Sequence, residues 1–85
     1  MTYAVLFKPS ARKALAKLPR SVQVRLIEAA EALAQNPRPP GVKKLQGDEN
    51  LWRIRVGAYR IVYEIHDARL VVLVVRIGDR KDIYR

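Results

Sequence analysis

The sequence predicts an α+β domain in the order β-α-α-β-β-β, with a helical hairpin packed on one face of a small, mostly antiparallel, twisted sheet. Three observations predict it. Apolar residues recur at helical spacing only between Pro9 and Gln35. After the Pro-rich segment 36–41, three strand-like apolar runs follow one another across short polar turns. Helices in tandem, followed by a strand meander, give helices segregated to one face of an antiparallel sheet.

Each element has its own reason. Tyr3 to Phe7 is a short apolar first strand. Pro9 stands where a first helical residue belongs, because its missing N–H is not needed there. Ala11, Ala14, Leu15 and Leu18 then form one apolar stripe, with Lys13 and Lys17 off it. Pro19 ends this helix and can begin the next. The second helix is expected from about Arg20 to Gln35, with Val22, Leu26, Ala29, Ala30 and Leu33 on its buried face and Ile27 broadening it. The segment 36–41 stops it as a stiff loop, and Val42 to Asn50 reads as a polar connection. Strands follow at about 51–56, 59–65 and 70–77. Gly57 opens a two-residue turn of the type II′ kind, and residues 66–69 supply the second turn. The last strand is apolar on both faces and belongs in the sheet interior, and Gly78 is expected to break it.

All of residues 1–85 are read as a single domain with a small core. There is no cysteine, which excludes disulfides and thiolate metal sites, and the single histidine, His66, excludes a multi-histidine metal centre. No metal or other cofactor is expected. No apolar run approaches membrane-spanning length, so a cytoplasmic protein with no membrane partner is expected. The net charge is +9, from 17 basic and 8 acidic side chains. Basic residues occupy both halves, and no acidic residue precedes Glu28. This balance points to a polyanionic partner, either nucleic acid or an acidic protein segment.

The chemistry concentrates in arginines. With Gly57 and Ala58 as the turn, Arg55 faces Arg60 and Arg53 faces Val62, so strand alternation puts Arg53, Arg55 and Arg60 on one face. Like charges directly opposite one another are destabilising, and a bound anion such as a phosphate offsets the repulsion. The last strand returns beside the third, bringing the segment 78–80 toward Tyr59 and Arg60, so that Arg80 and Tyr84 converge on the same sheet end. Arg76 joins them or faces away according to the length of the second turn. Guanidiniums aimed at a phosphodiester stabilise the charge of an in-line displacement. If the ribose 2′-hydroxyl attacks, RNA supplies its own nucleophile and the products are a cyclic phosphate and a free 5′-hydroxyl. Trp52, Tyr59 and Tyr63 fall with Ile54 and Ile61 on the other face, as packing residues. Glu64 shares the arginine face at its far end, His66 is a surface residue in a turn, and Lys43, Lys44 and Lys81 are candidates for steering RNA.

With these residues placed, the chain resembles the RelE-type toxins of the RelE/ParE toxin–antitoxin superfamily. The matching segments are 7–11 before a short helix, Leu18-Pro19 between the helices, Asn36-Pro37, 44–47, 52–57, 59–63 and 77–84, in order along nearly the whole chain. The resemblance implies an mRNA interferase: a metal-independent endoribonuclease that cleaves mRNA in the ribosomal A site, neutralised by an antitoxin protein with an acidic segment. By position it implies that Arg53 and Arg55 contact the RNA backbone, that Arg60 sits on the scissile phosphate, and that Arg80 and Tyr84 complete a catalytic set with Arg55. Many relatives carry histidine where Asp79 stands, and an acid there is expected to lower the local positive potential. Some carry lysine at the positions of Arg53 and Arg55, and arginine, unlike lysine, does not act as a base. Tyr84 is left as a possible proton acceptor. The same superfamily implies two alternatives: a ParE-like gyrase inhibitor without RNA cleavage, and a non-toxic corepressor.

Overall fold

The first turn sets the register of the meander. In the computed structural model, which describes residues 2–45, 47 and 50–79, Gly57 has a φ of +61°. Ala58 does not share the positive φ, which is the pattern of a type II′ hairpin turn. The described elements are β1 (Ala4–Phe7), α1 (Pro9–Ala16), α2 (Arg20–Ala32), β2 (Lys43–Lys44), β3 (Trp52–Val56), β4 (Tyr59–His66) and β5 (Val71–Asp79), with a 3-10 turn at Asp67–Arg69 before β5. They form a five-stranded sheet in the order β1-β5-β4-β3-β2. Only β1 and β5 pair in parallel.

The predicted fold class holds; strand ends shift by a residue, with His66 closing β4 and not opening the turn, and three larger differences appear. The polar connection contains the short strand β2, whose Lys43 and Lys44 pair with Arg53 and Trp52. The second helix stops at Ala32, where the backbone N–H groups of Leu33, Ala34 and Gln35 turn to carbonyls three residues back, tightening the last turn. Gly78 does not break the last strand; it pairs with Arg60, and β5 runs on to Asp79. That strand is interior as expected, between β1 and β4.

A bulge lies between β4 and β5. Val62 pairs with Arg76 and Tyr63 with Val74, so Val75 is an extra residue on β5. It shifts the alternation by one position. Val72, Val74 and Ile77 can therefore all face the helices, although 74 and 77 differ in parity. With Ile54, Ile61, Tyr63 and Ile65 they meet Ala11, Leu15, Leu26, Ala30 and Leu33 in one core. The helices are joined by Gln23, whose side-chain amide donates to the Leu18 carbonyl at 2.7 Å and supplies a partner beyond the end of α1. Among the described residues no helix is long and apolar enough to cross a membrane.

The Pro-rich loop is fastened at two points. The Tyr63 hydroxyl donates to the Pro37 carbonyl at 2.7 Å, and burial pushes its phenol well above the ordinary range, so it stays a neutral donor. Arg38 grips Asp67 with both Nη atoms, at 3.3 and 3.0 Å, and its guanidinium lies 5.0 Å from the Trp52 ring centre. Tyr3 donates its hydroxyl to the same carboxylate at 2.5 Å. These ties fix the loop that leads into β2.

Replacing Gly57 by valine forces a branched side chain into left-handed backbone, and is expected to cost about 1–2 kcal/mol of unfolding free energy in denaturant titration. Hydrogen bonds from Arg38, and then from Tyr3, hold the Asp67 carboxyl below its usual range. A carboxyl lowered in the folded state contributes stability above its unfolded pKa of about 3.9, and that contribution is lost as pH falls through the folded value. Between about pH 5 and pH 2 the wild type should therefore lose more stability than Asp67→Asn, measured by the same titration at each pH.

Candidate nucleic-acid interface

The face turned away from the helices is laid out in rows, because directly paired residues in neighbouring strands share a face. One row is Arg55 on β3, Arg60 on β4 and Gly78 on β5. The next is Lys43 on β2, Arg53 on β3, Val62 on β4 and Arg76 on β5. Neighbouring strands stand about 4.8 Å apart, so the second row crosses roughly 14 Å of sheet. A third row carries Glu64 opposite Leu73. Glu64 meets His66 through Oε1 and Nε2 at 2.8 Å.

The expectation that Arg53, Arg55 and Arg60 share a face holds, and the register that puts Arg55 against Arg60 is the expected one. Their exposure differs, which strand alternation alone does not reveal. Arg55 is exposed and Arg53 half-buried, while Arg60 is only 1% exposed. Arg60 lies on the central strand, flanked by β3 and β5, whereas Arg55 stands nearer the sheet edge. Arg60 is thus a buried arginine within the sheet, and Arg53 and Arg55 are the arginines of that hairpin that open to solvent.

Two residues singled out from the sequence lie off the arginine face. Lys44 pairs with Trp52, which places it on the helix side, where its Nζ lies 5.5 Å from the Trp52 ring centre. Lys43, one residue earlier, is the exposed lysine that joins the arginine face. Asp79 also leaves that face. It pairs with Tyr59 and lines a cleft with Lys13 of α1 and Lys17 at its end. The reason is the extra residue Val75, which sets the parity of everything after it. Arg80, Lys81 and Tyr84 lie outside the described residues.

Arg76 is the residue that sequence reasoning left open. The bulge turns it onto the arginine face, exposed, beside a recess of about 410 Å³ that Lys8, Ser10 and Glu64 also line. Val71 to Val75 is a uniform apolar run, so nothing in it marks where an extra residue is inserted. Among the described residues no three His, Asp or Glu side chains are grouped closely enough to hold a metal ion. Lys43, Arg53, Arg55 and Arg76 gather basic side chains on this face, suited to a chain of phosphates.

Comparison with known proteins agrees with this architecture. The family model for the ParE toxin of the type II toxin–antitoxin system parDE matches residues 5–84. Toxin RelG of Mycobacterium tuberculosis is 34% identical over 86 residues, covering 100% of this chain and 99% of that protein. The mRNA interferase toxin RelE of Escherichia coli is 30% identical over 88 residues, covering 99% of this chain and 92% of that one. The crystal structure of an archaeal RelE–RelB complex from Pyrococcus horikoshii contains a chain that superposes with a TM-score of 0.82 at 32% identity, covering 94% of this chain and 97% of that one. This chain belongs to the RelE/ParE family of toxins from type II toxin–antitoxin systems.

Proposed function

We infer that the protein is a ribosome-dependent endoribonuclease that cuts mRNA in the A site, and that a cognate antitoxin holds it inactive. One observation carries the reading. The Arg55–Arg60 cross-strand pair and the neighbouring Arg53 gather positive charge on one face of a rigid hairpin. Like charges so placed oppose folding, and a phosphodiester lying across them relieves the repulsion. The relatives described as mRNA interferases support the same reading.

The proposed chemistry is an internal transesterification of the RNA backbone. The 2′-hydroxyl oxygen attacks phosphorus, its bond to phosphorus forms, and the bond from phosphorus to the 5′ oxygen breaks. The 2′ proton is given up and the departing 5′ oxygen gains one, leaving a 2′,3′-cyclic phosphate and a 5′-hydroxyl. Arg53 and Arg55 bind and orient the backbone, and the buried Arg60 adds fixed charge to the floor. Charge developing on the equatorial and leaving oxygens is stabilised by these preorganised cations, without reorganisation during the reaction. Arg80 and Tyr84 are assigned to the scissile phosphate and to substrate orientation, by their positions in the family pattern, and Lys81 to the RNA backbone.

Programmed ribosomes carrying a defined message test the assignment. Primer extension should find cuts inside the A-site codon, with cyclic-phosphate 3′ ends. Single-turnover cleavage should fall at least about tenfold in Arg55→Ala and in Arg80→Ala. Intact message together with gyrase-linked DNA breaks would replace this reading with gyrase inhibition, and toxin-free growth with operator binding would replace it with a corepressor. The RelE–RelB complexes among the relatives support an antitoxin partner for this chain as well. Capture through a basic face should weaken as salt rises from about 0.05 to 0.5 M, by titration calorimetry. An affinity flat across that range would assign the contact to apolar docking.

A further inference from the structure

The row Lys43–Arg53–Val62–Arg76 runs across four strands, perpendicular to the path that Arg53 and Arg55 mark along β3. Its two ends are exposed cations on the same face, Lys43 on the edge strand β2 and Arg76 three strands away on β5. Its middle is Val62, 3% exposed and uncharged, so the row carries its exposed charge at its two ends. Beyond Arg76 the row opens into the recess bordered by Lys8. Glu64, half-buried on the same face, is the one acidic side chain on that recess among the described residues, and it is engaged with His66 at 2.8 Å.

We propose that Arg76 is a phosphate-binding residue and that single-stranded RNA crosses the sheet from Lys43 to Arg76, at right angles to the strands. The inference rests on the RNA-cleaving reading and adds to it the direction of the substrate and a contact that only the bulge at Val75 creates. Two cations about 14 Å apart fix a polynucleotide at both ends of the floor, and the reacting phosphate lies between them next to Arg55 and over Arg60. A path along β3 would leave Arg76 untouched.

The test uses a 2′-O-methyl oligoribonucleotide, which binds without being cut, and measures its affinity for the whole protein at several salt concentrations. Each phosphate contact to a single strand contributes about 0.7 to the slope of log affinity against log salt. Arg76→Gln should bind about three- to tenfold more weakly and lose about 0.7 of slope. Lys43→Gln should do the same, and the double variant should show the two losses added, because the sites are too far apart to couple directly. Arg69→Gln, with the same charge change in the turn before β5, should match the wild type. Unfolding midpoints check that each variant remains folded. If Arg76→Gln binds like Arg69→Gln while the wild type still cleaves ribosome-bound message, the crossing path is wrong and the nuclease reading stands. If the wild type neither binds the oligonucleotide nor cleaves message, both fall together.

Discussion

The pairing of β4 with both of its neighbours is the constraint on which the molecule depends. That strand carries Ile61, Tyr63 and Ile65 into the core and Arg60 and Glu64 onto the opposite face. A slip of one residue on either side would exchange the two sets. On the β3 side the register is pinned by the Gly57 turn, where only glycine adopts the needed φ without strain. On the β5 side it is pinned by burial. Val72, Val74 and Ile77 must all lie under the helices, and the extra residue between them is what lets an odd spacing do so.

The charged face is a by-product of that packing solution as much as a separate design. Because Val75 is looped out, Arg76 turns toward the other arginines and Asp79 turns away from them, so one inserted residue recruits a cation and removes an acid. The apolar core and the electrostatics of the opposite surface are coupled through the strand alternation. The clamp on the Pro-rich loop extends the coupling to the sheet edge: Arg38, Tyr63 and Asp67 hold the segment that delivers Lys43 beside Arg53.

These relations explain what could be read from the chain alone. The β3–β4 hairpin was legible residue by residue, because a glycine at the turn and strict alternation leave one register. Both helices were legible from their apolar stripes and from prolines at their starts. The two-residue strand β2 was not, since its lysines pair only because the loop before it is fastened by contacts distant in sequence. The bulge was not, since a run of valines and leucine offers the same side chain in every phase. The burial of Arg60 depends on the order of the strands in space, which alternation along a single strand does not encode.

The parallel contact at the sheet margin has a consequence for how the molecule comes into being. The first strand of the described fold has the last one as its only neighbour, Ala4 against Val71 through Phe7 against Val74. Closing so distant a pair must precede any energetic return from it, which makes it a late event in folding. The strand that waits longest is also the one that bears Arg76 and sets Gly78 beside Arg60. A nascent chain lacking that strand has neither a closed sheet nor a finished cationic floor. The whole charged face thus exists only once nearly all of the described fold has been translated.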